Sequence, residues 1–132
     1  MTSRTRVICG PVIIENRQVL LVKERAADGT VSQWQFPGGT MELTDASPEA
    51  ACRREAREEI GVELKLLREL LPLNSADTIG PITLKHYLAQ RHGVLQPGPE
   101  IAAMRWWDTH NLPPDCALNI VPVITEYLKN EH

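Results

Sequence analysis

The sequence predicts an α/β sandwich, a set of mixed strands packed with two helices. Three observations point there. β-rich runs open the chain, a sharply punctuated helix follows a pair of glycines near its middle, and a last helix closes it after further strands.

The stretch "RVICGPVIIENRQVLLVKER" holds two β-rich runs around "ENRQ" and reads as a hairpin, 6–14 against 18–24. "AADGTVSQ" reads as a loop, with Asp28 and Gly29 as its turn signal. "WQFPGG" is a short apolar piece stopped by Pro37 and two glycines, and "TMELTDA" is irregular and polar. A helix then begins. Ser47 suits the N-cap, Pro48 the first helical position and Glu49 the positive N-terminal end, while Gly61 suits the position just past the C-terminus. "VELKLLREL" reads as a strand, "LPLNSADTIG" as a loop, "PITLKHYLAQ" as a strand, "HGVLQPGPE" as a turn-rich connection and "IAAMRWWD" as a strand. The loop "NLPPDCALN" leads to the final helix, "IVPVITEYLKN", with Pro122 near its start. No repeat, linker or low-complexity tract interrupts the pattern.

A chain of 132 residues, 42% hydrophobic and 23% charged, suits one domain spanning 1–132 with a single core. A net charge of −3 provides no general pull on nucleic acid or anionic membranes, so neither is expected as a stable partner. An anionic substrate would need a local basic patch or a metal ion as bridge. Cys9, Cys52 and Cys116 stand far apart. An odd number without paired spacing argues against a disulfide framework and a zinc knuckle, and favours a reducing, cytoplasmic setting. The opening "MTSRTRVICGPVII" is not a signal peptide, because Gly10 and Pro11 break its short apolar run. No stretch approaches a membrane-spanning length.

The sharpest signal is "RREAREEIGVE", 53–63. On a helical wheel Cys52, Ala56 and Ile60 form a small apolar stripe suited to packing on a sheet. Glu55, Glu58 and Glu59 fall side by side next to it, with Arg54 beside Glu58. Arg53, Arg57 and Glu49 lie on the opposite, solvated side. Like charges three or four residues apart cost roughly 0.2–0.5 kcal/mol per pair. One reading is a charged solvent face with ion pairs. Yet the basic residues do not interleave with these acids, and the acids border the apolar stripe at the rim of the core. Hard divalent cations such as Mg2+ take oxygen ligands, and one among these carboxylates would remove the repulsion.

The segment "FPGGTMELTDASPEAACRREAREEIGV" resembles the signature of the Nudix hydrolases, G-x5-E-x7-R-E-U-x-E-E-x-G-U with U aliphatic. Arg54, Glu55, Ala56, Glu58, Glu59, Gly61 and Val62 fill its second half, with Ala56 as a small U. There is one departure. After five intervening residues from Gly39 stands Asp45 instead of glutamate, and eight residues rather than seven separate it from Arg54. Asp45 or Glu42 is left for the supporting acid.

The resemblance implies a small, single-domain, MutT-like member with its box at about 39–62. The implied fold is the Nudix α/β/α sandwich, a mixed β-sheet between the box helix and the C-terminal helix. The implied activity is hydrolysis of a nucleoside diphosphate linked to X, with water attacking phosphorus and Mg2+ (or Mn2+) as cofactor. Glu55, Glu58 and Glu59 would be the metal ligands, and Arg54 would orient Glu55. Gly38 and Gly39 would permit close backbone approach, with the Gly39 carbonyl reaching the metal. The general base varies in this family. Glu100 is the candidate for a later base or extra ligand, or else a solvated loop acid.

Lys23 and Arg25 follow the second strand near the expected cleft, as phosphate contacts or as a solvated strand end. Trp34 either stacks on a base or anchors its loop. "LLPLNSADTIGPITLKHY" carries no signature for ADP-ribose, coenzyme A, NADH or dinucleoside polyphosphates. Size and fold analogy favour a (deoxy)nucleoside triphosphate. The alternative is a non-catalytic sensor that binds a nucleotide or ADP-ribose. Dimers are common in the family, and the hairpin strands offer a homodimer interface. Cys52 reads as a packed core thiol, and His86 and His92 as surface or core residues. Trp106 and Trp107 should alternate faces of their strand, so that at most one is core.

Overall fold

The first hairpin closes through Asn16 and Arg17, whose φ values of 51° and 64° are the left-handed pair that a two-residue hairpin turn requires. It joins β1 (Arg6–Glu15) to β2 (Gln18–Glu24). The computed structural model describes residues 5–131, so the first four residues of the opening stretch discussed above lie outside it. The other elements are β3 (Gly39–Thr40), α1 (Pro48–Ile60), β4 (Glu63–Glu69), β5 (Leu73–Ala76), β6 (Pro81–His92), β7 (Ile101–Asp108) and α2 (Ile120–Asn130).

One mixed sheet runs β4-β6-β1-β2-β7, with β3 added to β1 and β5 to β6. The β1–β6 pair is parallel, from Arg6↔Ile82 to Ile13↔Ala89, and the other pairs are antiparallel. Strand alternation gives the sheet two faces. Cys9, Ile13, Leu20 and Val22 pack with Ala51, Cys52, Ala56 and Ile60 of α1. Val12, Val19 and Leu21 pack with Ile120, Val123 and Ile124 of α2. The result is the expected α/β/α sandwich. The alanines and cysteine of α1 make its buried stripe small, which lets the helix lie close to the sheet and brings the neighbouring acids to the rim.

Helix α1 ends as its punctuation predicts. Ser47 Oγ accepts from Ala50 N at 3.1 Å, and Gly61 takes φ 70°. Beyond Gly61, the connection before β7 turns back on the helix. Gln96 N donates to Ile60 O at 2.9 Å and Gly98 N to Glu59 O at 2.8 Å, satisfying carbonyls at the helix end.

Four sequence expectations differ from the structure. Residues 73–76, read as loop, form the edge strand β5 against β6. Its "LNSA" has three exposed positions and little β propensity, so only pairing across the Asp77–Gly80 turn reveals it. Glu49 is half-buried rather than solvated, because it accepts from Tyr87 Oη at 2.9 Å. Arg53 is likewise half-buried. Trp106 and Trp107 both pack, the first against the α1 core and the second against the α2 core, because both faces of the sheet are covered. Among the described residues no helix is long and apolar enough to cross a membrane.

Candidate active site

The glycine loop sets the position of the site. Pro37-Gly38 lies so close to β1 that a Cβ on Gly38 would fall 2.2 Å from Cys9 O, and one on Gly10 would fall 2.3 Å from Pro37 O. Gly38 also takes φ 146°. Backbone therefore packs directly on backbone. This contact holds the loop beside α1, where Gly38 N donates to Glu59 Oε2 at 2.9 Å. The Glu55 carboxylate lies over Gly39, 2.6 Å from where a Cβ there would stand.

The three acids are not equivalent. Glu55 and Glu59 are buried, at 9% and 7% exposure, whereas Glu58 is exposed. Burial raises the Glu55 carboxyl above its ordinary range. It pushes Glu59 up to about 10, with the Glu24 carboxylate facing it as the next cause. Arg54 faces the group. Its Nη1 donates to Glu55 Oε1 at 3.0 Å and to Glu58 Oε2 at 3.2 Å. Its Nε and Nη2 form a fork on Asp45, both at 2.9 Å. Glu42 is a weaker partner, with its Oε1 3.7 Å from Arg54 Nη1.

The geometry thus gives the supporting position to Asp45. Its Oδ2 also accepts from Glu42 N at 2.8 Å, closing a short turn over 42–45.

Glu55, Glu58 and Glu59 line a cleft of about 310 Å³ with Gly98, Pro99 and Glu100. The structure therefore brings Glu100 to the acids from a distant part of the chain. A second cleft of about 330 Å³ lies along the glycine loop, where Gly38 and Gly39 are joined by Glu24, Gln35, Lys85, His86 and Asn119. Arg25 and Glu100 line a third hollow with Glu24. Lys23 and Trp34 are not brought into any of these clefts. Lys23 Nζ sits 5.3 Å from the centroid of Trp34 and 3.2 Å from Asp115 Oδ2. Trp34 meets Trp107 edge-on at 5.3 Å, on the α2 side of the sheet.

Sequence reasoning missed Glu24, Gln35, Lys85, Asn119 and the Gly98-Pro99 pair. The signal for Glu24 was present in strand parity. Leu20 and Val22 face α1, so Glu24 faces α1 as well, and Lys23 faces away. His86 is a buried core histidine, with Nδ1 3.0 Å from Leu71 O and Nε2 2.9 Å from Asn119 Nδ2. Cys9 and Cys52 are free, buried thiols whose pKa burial raises to about 11 and about 12, so neither is a reactive thiolate.

The acids are not closed into a ready-made cage. Among the described residues no three Asp, Glu, His or Cys side chains form a metal-holding group, and Glu58 is bonded to Arg54. The donor chemistry nevertheless suits a hard cation. All the side-chain ligands offered are carboxylate oxygens. Moreover, the facing carboxylates Glu24 and Glu59 have no basic side chain paired with them among the described residues.

Comparison with known proteins shows the family of the chain. The NUDIX domain model matches residues 3–127. The 8-oxo-dGDP phosphatase NUDT18 of Danio rerio is 28% identical over 128 residues, covering 92% of this chain and 38% of that protein. The Nudix hydrolase NudL of Photorhabdus laumondii is 33% identical over 79 residues, covering 56% of this chain and 42% of its own. The chain thus spans about two fifths of the curated relatives it matches. The crystal structure of a MutT NUDIX hydrolase from Burkholderia pseudomallei superposes with a TM-score of 0.80 at 25% identity, covering 93% of this chain and 98% of that one. With its signature helix, its glycine loop and a domain match over nearly its whole length, the chain belongs to the NUDIX family.

Proposed function

We propose that this chain hydrolyses a pyrophosphate bond in a nucleoside diphosphate linked to X, with Mg2+ or Mn2+ as cofactor and a (deoxy)nucleoside triphosphate or related nucleotide as substrate. One observation carries the reading. Glu55, Glu58 and Glu59 line a cleft beside the glycine loop, and Arg54 is clamped between them and Asp45.

A polyphosphate would be repelled by these acids alone. Glu55, Glu58, Glu59 and the Gly39 carbonyl would hold the cation. When bound, it neutralises phosphate oxygens and makes a coordinated water more acidic. The chain's own residues do the positioning. Arg54 fixes the Glu55 carboxylate through a charge-assisted bond. Gly38 N fixes Glu59. Glu100, on the wall of the same cleft, would take the proton of an attacking water or add a further ligand. In the loop cleft, Lys85, Gln35 and Asn119 provide polar contacts for the rest of a nucleotide. The 8-oxo-dGDP phosphatase of Danio rerio to which the chain is similar supports including an oxidised guanine nucleoside diphosphate among the candidates.

The test is phosphate and pyrophosphate release from a panel of standard and oxidised nucleotides, ADP-ribose, NADH and nucleotide sugars, with Mg2+. EDTA and the Glu58→Gln protein serve as controls. Turnover that both controls abolish supports the reading and names X. Turnover that survives either control rejects the carboxylate assignment. A folded, cation-binding protein inert on the whole panel but tightly binding a nucleotide would be a sensor instead.

A further inference from the structure

Strand β2 ends in a residue that its alternation turns toward α1. Val19 and Leu21 join the α2 core, Leu20 and Val22 the α1 core, and Glu24 follows Leu20 and Val22. Glu24 is half-buried, and its position is fixed from behind. Gln35 Nε2 donates to Glu24 Oε2 at 2.8 Å, and Gln35 is itself locked to Val22 by two backbone bonds of 2.9 Å. In front of it lies Glu59, near enough for the Glu24 carboxylate to raise the Glu59 carboxyl. The β2–β7 register shifts between Lys23 and Glu24 and sets Glu24 opposite Ile101, next to Glu100. Glu24 and Glu100 line one hollow, while Glu24 also lines the cleft along Gly38 and Gly39.

Glu24 therefore lines two of the three hollows, and Glu59, which it faces, lines the third. Gln35 is the one side-chain donor to Glu24 among the described residues, and that bond needs no charge. Among the described residues no basic side chain pairs with Glu24 or Glu59, since Arg54 is committed to Asp45, Glu55 and Glu58, and Lys23 to Asp115. Two carboxylates facing each other at a half-buried position are costly unless a shared proton or a cation sits between them. A glutamine at position 24 could bond Glu59 without that cost.

We propose that Glu24 is a further carboxylate of the divalent-cation centre, added to the α1 glutamates from the β2 side and held in place by Gln35. The proposal rests on reading that centre as a cation site. It extends the centre from one wall to two, so that carboxylates of both α1 and β2 would hold the cation. A substrate lying in the loop cleft would then meet the cation from the Glu24 side.

The probe is Mn2+ alone, titrated into the whole chain and followed by the electron paramagnetic resonance signal of the free ion, with no nucleotide present. Wild type, Glu24→Gln, Glu58→Gln and Glu63→Gln are compared, each checked by circular dichroism. Glu63 pairs with Arg57 away from the site and controls for the loss of one negative charge. Glu24→Gln should bind Mn2+ about 10–100-fold more weakly, while Glu63→Gln matches wild type. Wild-type affinity in folded Glu24→Gln overturns the proposal. If that variant does not fold, Glu24→Asp carries the test. It keeps the charge but shortens the reach, so weakened binding is expected and unchanged binding counts against Glu24. The two readings fail differently. No Mn2+ binding by wild type, or wild-type binding by Glu58→Gln, rejects the cation centre itself. Loss in Glu58→Gln with none in Glu24→Gln rejects only the role of Glu24.

Discussion

Arg54 grips Asp45 with a two-pronged bond, Nε to Oδ1 and Nη2 to Oδ2, each 2.9 Å. The Asp45 side chain is 6% exposed, and the Arg54 bond holds its carboxyl down to about 2, so the pair stays ionised through the neutral range. With two of its nitrogens spent on Asp45, Arg54 presents Nη1 to Glu55 and Glu58 in one orientation. Asp45→Ala should leave Arg54 free to swing. We expect kcat/KM to fall about 10–100-fold, the usual cost of removing a group that orients a metal ligand. Glu42→Ala should cost far less, because its distance of 3.7 Å and its exposure make it a minor partner. Equal losses in the two variants would mean that the acids share the role.

Adjacent glycines should fail in different ways. A methyl at Gly38 would strike Cys9 O at 2.2 Å and Gly10 Cα at 2.7 Å, both backbone atoms, at a φ that side chains avoid. Gly38→Ala should therefore lower stability by about 1–3 kcal/mol or prevent folding. A methyl at Gly39 meets the Glu55 carboxylate at 2.6–2.8 Å, the movable end of a side chain. Gly39→Ala should fold and lose activity together with Mn2+ affinity. Thermal melts beside metal titrations would separate the two outcomes.

His86 should make stability depend on pH. Its burial lowers its pKa below the ordinary value, and the carbonyl of Leu71 accepts the proton on Nδ1, leaving Nε2 to accept from Asn119. The unfolded chain takes a proton on this ring near about pH 6.5, whereas the folded chain resists it. The unfolded state thus binds more protons below that pH. The contribution of His86 is complete above about 6.5 and is lost progressively as pH falls from there toward the folded value. Between pH 7.5 and 5.5 the melting temperature of wild type should drop by more than that of His86→Gln. Parallel drops would show that other groups carry the effect.

Tyr87→Phe provides a contrasting case. Tyr87 is buried, and its Oη donates to Glu49 at 2.9 Å, on the side of α1 away from the acids. Losing that bond should cost about 0.5–1.5 kcal/mol in a denaturant titration, with kcat unchanged. A fall in kcat would mean that the start of α1 is coupled to the acids at its end.

The helix and its chemistry were legible because they are local. Ser47, Pro48 and Gly61 mark the ends of α1 through backbone bonds within a few residues, and the 3.6-residue period puts Glu55, Glu58 and Glu59 together wherever the helix sits. The strands on either side were legible for the same reason, through alternation and turns. β5 was not. "LNSA" has no pattern of its own and becomes a strand only because β6 offers an edge.

What sequence alone determined, then, was the order of elements, the box helix with its acids, and the family to which that motif points. Tertiary structure decided what surrounds those acids. Asp45 rather than Glu42 holds Arg54 because the 42–45 turn aims it there. Glu100 reaches the acids because the connection before β7 folds back on the end of α1. Glu24 faces Glu59, and Lys23 faces Trp34, because the two helices cover opposite faces of one sheet and neighbouring residues of a strand point to different helices. Capping and periodicity act over a few residues and can be read along the chain. Facing and proximity depend on which surfaces exclude water together, and no single stretch of sequence contains that information.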